Sequence, residues 1–313
     1  MPQDLHILPK LRDSLSFHYV EHAVIEQDEM SIVVLDKNGR TPVPIASLTT
    51  LFVGPGTTIT HAAVKAICDN GCMIVWCGEG ATRCYGFGSG ETRSAKNLLL
   101  QAQLCMDPDA HLAVVRRMYE RRFPGISCQE MNLKQIRGLE GVRVREMYRL
   151  MSRRFGVAWK RREHTSDNWD DNDPINKALS AANACLYGLC HAAIVSLGYS
   201  PGLGFIHTGK MLSFVYDIAD LYKADTTIPA AFATVASKPD NLERQVRINC
   251  RREFRQHRVL YRIADDIAWV FQDASADDEI NAVPPGDLWD IDSTVRGGRN
   301  YARTVIAEEK DEV

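Results

Sequence analysis

The stretch MIVWCGEGATRCYGFGSGETRSAKNLLLQAQLCM (73–106) contains the point at which one kind of chain becomes another. Its first half reads as two strands, MIVWC (73–77) and TRCYGF (82–87), joined across the tight turn Gly78-Glu79-Gly80. The first is a short apolar run closed by glycine, the pattern of a strand rather than a helix, and the second reads as its partner. From about Ser94 helical spacing takes over. GSGETR (88–93), with no large apolar side chain, is the hinge between the two halves.

Working outward, the upstream residues repeat the first pattern. HYVEHAVIE (18–26) and MSIVVLD (30–36) are rich in β-branched residues, and Asn38-Gly39 is a hairpin signal before TPVPIA (41–46) and LTTLFV (48–53). One short helix interrupts them, from an N-cap at Thr60 to a stop at Asn70-Gly71. Downstream, helical periodicity runs over 95–106, 108–123, 129–155, 174–197, 210–223, 228–237 and 240–272. Strands first and helices after predict an α+β protein with a small N-terminal β domain and a larger all-helical C-terminal domain. The expected boundaries are 1–88 for the β domain, 89–94 for a linker, 95–272 for the helices and 273–313 for an acidic, partly disordered tail.

Of 313 residues, 45% are hydrophobic and 25% charged, a globular composition with enough chain for a sizeable core. Nine cysteines, an odd number without framework spacing, point to reduced thiols and a cytoplasmic protein. No apolar run is expected to serve as a membrane span of ~20 residues. The net charge of −3 hides an asymmetry: residues 273–313 hold eleven acids against four bases, which leaves +4 on residues 1–272. A basic body permits nucleic acid without demonstrating it.

The segment DNLERQVRINCRREFRQHRVLYR (240–262) places arginines at 244, 247, 251, 255, 258 and 262, intervals that form one stripe on a continuous helix. Stacked like charges repel unless an anion neutralises them, so the stripe reads as a phosphate track containing Arg244, Arg247 and Arg251. The alternative is a solvated face. A second basic block, 134–163, contains Arg137-Gly138-Leu139-Glu140-Gly141, where two glycines beside a carboxylate allow close approach of backbone or ligand. Taken alone, Glu140 reads first as a salt-bridge partner of its arginines.

HTGKMLSFVYDIADLYK (207–223) opens with a loop and N-cap and then places Asp217 and Asp220 at i,i+3 on one helix face, among apolar residues. Carboxylates in that setting must be paired, hydrogen-bonded or metal-bound, and spacing does not choose between them. If Glu140, His207 and Asp220 converge, the mixed oxygen and nitrogen set suits Mg²⁺ or Mn²⁺. Such an ion beside phosphate-binding arginines can polarise a phosphodiester. Other motifs are weak: Cys68, Cys72 and Cys77 lack a second pair for zinc, and the glycines at 86–90 lack the residues of a phosphate loop.

Together RGLEG (137–141), NACLYGLCHAAIVSLGYSPGLGFIHTG (183–209) and HTGKMLSFVYDIADLYK (207–223) resemble the CRISPR-associated integrase family, the first protein of the adaptation pair, with a pattern most like subtype E of type I. The resemblance spans roughly residues 10–270. It implies an N-terminal β domain, a helical domain with a metal site, and Glu140, His207 and Asp220 as metal ligands. The family's further acidic residue falls on Asp217 and a basic one on Lys223. By the same resemblance Arg83, Arg244 and Arg247 contact DNA, Tyr187 and Tyr216 lie near the active site, and Lys210 helps recognise the protospacer-adjacent signal. Trp169 matches an aromatic position, whereas His164 departs from a tyrosine, and the tail lacks the prolines of relatives. The implied activity is transesterification in antiviral defence: 3′-hydroxyls of short duplexes with 3′ overhangs are joined to the CRISPR repeat, with related cleavage of branched DNA. The implied assembly is two homodimers flanking a dimer of the second adaptation protein. The rival readings are a repair-type nuclease for branched DNA and a non-catalytic DNA-binding scaffold with a structural acidic cluster.

Overall fold

Asp36, Lys37, Asn38 and Gly39 close the hairpin that organises the N-terminal region, with Asp36 opposite Gly39 in register and Asp36 Oδ1 accepting the Asn38 N–H at 2.8 Å. The hairpin forms where the sequence signal lies, but its two loop residues are Lys37 and Asn38, one position earlier than Asn38-Gly39, and Gly39 takes its positive φ of 118° as the first paired residue after the loop. The structure, a computed structural model, describes residues 17–29, 31–90, 95–162 and 173–272, and the backbone of 288–289 and 294–295. Residues 91–94 of the expected linker, His164, Trp169 and most of the tail lie outside the described residues.

The hairpin strands β3 (Ser31–Asp36) and β4 (Gly39–Val43) belong to a sheet of order β4-β3-β2-β6, with β2 at Val24–Asp28 and β6 at Thr58–Ile59. A second sheet has the order β1-β5-β7-β8, formed by Phe17–Val20, Thr50–Val53, Met73–Cys77 and Cys84–Gly88. Its first three strands are parallel, and β8 returns antiparallel to β7. The run 18–26 is therefore not one strand. It divides at Glu21–Ala23, with His22 at a φ of 52° and its N–H held by Pro55 O, so that each half enters a different sheet. Helix α1 (His61–Asp69) starts where expected, with Thr60 Oγ1 accepting the Ala63 N–H. Ile25, Ile32, Leu51, Ile67 and Ile74, all at most 1% exposed, join α1 and both sheets in one core.

Helices follow: α2 (Lys96–Met106), α3 (Pro108–Arg122), α4 (Leu133–Phe155), α5 (Pro174–Ser196), α6 (Ser213–Asp220), α7 (Thr227–Ala236), α8 (Leu242–Gln256) and α9 (Val259–Val270). This is the α+β order expected, a β region and then helices. The expected 240–272 helix is broken, however. Val246, Cys250 and Phe254 bury one face of α8, and a straight continuation would next bury His257 or Arg258. Arg258 instead adopts a left-handed φ of 50°, which rephases the chain so that Val259, Ile263, Ile267 and Val270 are buried. The six-arginine stripe therefore ends at Arg255. Arg258 sits at the break, and Arg262 turns to the Tyr222 ring.

Residues 1–272 pack as one unit and 273–313 as another. In the second, Leu288–Trp289 pairs antiparallel with Thr294–Val295. In the first, α5 is the central helix. It is long and apolar enough to cross a membrane, with a mean hydropathy of 1.5, but 72% of that window is buried inside the protein, as in a core helix. Gly188 of α5 lets the turn before β8 dock, because a Cβ there would lie 2.5 Å from Arg83 Cα and from the Thr82 carbonyl. Gly188→Ala is expected to destabilise by about 2–3 kcal/mol. The control Gly138→Ala, in open space on α4, should be neutral or stabilising by about 0.5–1 kcal/mol. Denaturant unfolding of both variants checks this; equal stability would mean that the turn yields at no cost.

Candidate metal and nucleic-acid site

Three helices converge on Arg122. The capping box of Asn132 and Gln135 starts α4 and sets the phase that turns Glu140 toward α3. There Glu140 Oε2 accepts from Tyr119 Oη at 2.7 Å, and Oε1 meets Arg122 Nη1 at 2.5 Å. The same Nη1 is 3.3 Å from Asp220 Oδ2 at the end of α6. Two carboxylates from distant segments thus meet on one cationic nitrogen. Lys223 Nζ lies 2.5 Å from Asp220 Oδ1, a buried oxygen held by that ion pair. Burial alone would push the Asp220 pKa up, but Lys223 and Arg122 outweigh it and hold the carboxyl below its usual range. Lys223 is the mirror case: burial opposes its charge, yet Asp220 keeps it protonated above its ordinary pKa. Burial, and next the Glu140 carboxylate, push the Tyr119 phenol up, so it stays a hydrogen-bond donor.

His207 is held separately. Asp217, fully buried on α6, accepts the backbone N–H groups of Phe205, Ile206 and His207 at 2.6, 3.1 and 2.9 Å. It also contacts His207 Nδ1 at 2.7 Å. With both oxygens engaged, Asp217 orients the imidazole rather than serving as a ligand, and a proton fixed on Nδ1 leaves Nε2 free to coordinate. That hydrogen bond raises the His207 pKa against the opposing effect of burial. The His207 and Tyr216 rings pack edge to face at 5.8 Å, Tyr216 meets Tyr187 at 4.9 Å, and Lys223 Nζ lies 5.0 Å from the Tyr187 ring. These aromatics join the two halves of the site.

The proposed ligands are therefore neighbours, and Asp220 and His207 act on each other's ionisation. They are not drawn tightly together: among the described residues no three His, Cys, Asp or Glu side chains form a metal-holding group. The donor chemistry nonetheless fits a hard divalent cation. Two carboxylate oxygens share one cation already, Asp220 is nearly fully buried with its charge kept by cations alone, and the imidazole presents Nε2. Gly138, beside Glu140, faces open space, and Gly141 meets only Arg145 Nη1 at 3.5 Å, so nothing in the chain itself needs these glycines.

Arg83, Arg244, Arg247 and Arg251 form a separate basic patch around the Glu79 turn. Arg251 bonds Glu79, and that bond, with Arg247 and Arg244 nearby, holds the Glu79 carboxyl below its usual range. Arg83 is exposed beside them, and Lys210 is exposed in the loop before α6. Sequence reasoning missed Tyr119 and Arg122, which RRMYERR (116–122) hides among equivalent basic residues.

Comparison with known proteins adds an independent line. The family profile described as CRISPR associated protein Cas1 matches residues 19–127 and 121–254. A CRISPR-associated endonuclease Cas1 2 of Thermus thermophilus is 50% identical over 304 residues, covering 96% of this chain and 94% of the relative. A CRISPR-associated endonuclease Cas1 of Escherichia coli is 41% identical over 280 residues, covering 88% and 90%. The crystal structure of a TtCas1–DNA complex superposes with a TM-score of 0.79 at 54% identity, covering 85% of this chain and 99% of that one.

Proposed function

Because the chain belongs to the Cas1 family of CRISPR-associated proteins, we propose that it is a metal-dependent DNA integrase of CRISPR adaptation, close to subtype E of type I. The observation that carries the chemistry is the meeting of Glu140 and Asp220 on one Arg122 nitrogen, next to an imidazole oriented by Asp217. Glu140, Asp220 and His207 Nε2 would hold Mg²⁺ or Mn²⁺. Bound there, the ion would supply Lewis-acid stabilisation of the oxygens around phosphorus.

The chain's own charges set the balance. Three carboxylates (Glu140, Asp217 and Asp220) face two fixed cations, Arg122 and Lys223, so the site is one negative charge from neutral. With a divalent ion held by Glu140, Asp220 and His207 the site would carry one positive charge, which a phosphodiester would neutralise. In the reaction a 3′-hydroxyl of the incoming duplex forms a new P–O bond in the repeat, one P–O bond of the repeat breaks, and the departing 3′-oxygen takes up a proton. The number of phosphodiesters is unchanged. Arg83, Arg244, Arg247 and Arg251 would track the duplex, with Tyr187, Tyr216 and Lys210 at the strand end. The DNA in the complex of the TtCas1 relative supports this reading. We assign residues 1–88 to dimerisation and DNA contact, 95–272 to catalysis and the acidic tail to the second adaptation protein, in a cytoplasmic assembly of two homodimers about its dimer.

The test is joining of 3′-overhang duplexes to a supercoiled repeat plasmid with the partner protein present. Half-site products should appear with Mn²⁺ or Mg²⁺ and vanish with EDTA; products that persist in EDTA refute the metal site. The ion pairs already neutralising Asp220 favour one rival, a DNA-binding scaffold. In that case Mn²⁺ would leave Tm unchanged.

A further inference from the structure

Helix α2 carries a polar row with no place in the site described so far. Asn97, Gln101 and Cys105 are four residues apart and therefore share one face. Each donates to the main chain of the 197–206 loop, which leads directly into His207. Asn97 Nδ2 donates to Leu197 O at 2.7 Å. Gln101 Nε2 donates to Ser200 O and Leu203 O at 3.0 and 2.8 Å, and its Oε1 accepts the Ser200 N–H at 2.7 Å. Cys105 Sγ donates to Gly204 O at 3.5 Å. His111, at the start of α3, extends the row: its Nε2 lies 2.8 Å from Phe205 O.

The loop is thus gripped from two sides. Its carbonyls at 197, 200, 203, 204 and 205 turn toward α2 and α3, and its N–H groups at 205, 206 and 207 converge on Asp217. Gln101 is fully buried, with both amide protons and its carbonyl used. Gly204 shows how little room remains, since a Cβ there would lie 2.2 Å from His207 O and 2.7 Å from Ser213 Cβ. A shift of the loop at 203–204 therefore reaches His207 without slack.

We propose that the α2 row, with Gln101 as its centre and Cys105 and His111 at its end, positions His207 for metal binding. These are positioning residues: they touch neither metal nor DNA and act through the loop backbone. The inference rests on the reading of His207 as a ligand. It adds that the affinity of the site for its cation is set partly from α2, which contributes no ligand. Supporting groups behind a metal ligand typically change affinity by about 10- to 100-fold, and the lower end applies to a row acting through main chain.

The experiment measures Mn²⁺ affinity of the full chain by calorimetry, alongside joining activity, metal-free DNA affinity and Tm. Gln101→Glu is nearly isosteric but replaces two donors with an acceptor facing two carbonyls. It should weaken Mn²⁺ binding about 10-fold, leave kcat at saturating Mn²⁺ within about twofold, and leave metal-free DNA affinity unaltered. Cys105→Val, which loses the donor, should weaken Mn²⁺ a few-fold, and Cys105→Ser, which keeps it, should restore wild-type affinity. A row that merely staples the fold would lower Tm and leave the Mn²⁺ Kd alone, and that result overturns the proposal. If Gln101→Glu does not fold, the cysteine pair decides: equal Mn²⁺ affinity in the valine and serine variants overturns it. His207→Ala with unchanged Mn²⁺ binding would overturn the ligand reading itself, and this inference with it.

Discussion

Alanine at Glu140, at His207 or at Asp220 is expected to abolish joining of a 3′-hydroxyl to the repeat, a loss of at least about 10³-fold, or ~4 kcal/mol in transition-state stabilisation. Each residue supplies a donor from a different segment, so none can stand in for another. Duplex affinity should survive, because the arginine patch lies around the Glu79 turn and not on Arg122. The three variants differ in structural cost. His207→Ala leaves Asp217 with its three backbone N–H donors and should fold normally. Asp220→Ala leaves Arg122 with Glu140 alone and strands Lys223 without its carboxylate, and breaking such a buried pair costs about 3–5 kcal/mol. Asp220→Asn and Glu140→Gln, which keep shape and some hydrogen bonding, separate lost chemistry from lost stability. Plasmid joining and fluorescence anisotropy on one preparation provide the two readings. Full activity in any variant removes that residue from the site.

Reversing Arg247 and Arg251 together to Glu should lower duplex affinity by about 10- to 100-fold near 0.1 M salt and reduce the slope of log K against log [salt] by about 2. A phosphate contact releases condensed counterions and an ordinary surface charge does not, so the slope identifies the role. Arg251 also bonds Glu79, and its reversal turns that attraction into repulsion. Arg244→Glu, exposed on the same helix, tests the track without touching that bond and should show about half the change in slope. An unaltered slope would return the patch to a solvated face.

The stripe also shows where local spacing misleads. Intervals of three and four between arginines are compatible with one long helix, and nothing in the charges announces a break. The break arises because the apolar residues change phase between Phe254 and Val259, and burying both sets requires the left-handed turn at Arg258. The division of 18–26 into two strands has a similar origin. Its β-branched residues favour strand throughout, but only the placement of Pro55 and Gly54 opposite His22 and Val20 sends the halves to different sheets. By contrast, the Asn38-Gly39 hairpin, the Thr60 cap and the β7 strand were legible, because each is decided within a few residues of chain.

From the chain alone come the order of strands then helices, the arginines facing one side of α8, and three candidate ligands whose types suit a hard cation. Hydrophobic period, capping and turn chemistry act over a turn or two of backbone and are written in consecutive residues. What the tertiary structure decided is which distant groups meet: Glu140 with Asp220 on Arg122, His207 with Asp217, and the α2 amide row with the 197–206 loop. Those pairings depend on how helices far apart in sequence satisfy buried charges and carbonyls against one another, and no local pattern encodes the partner of a buried polar group.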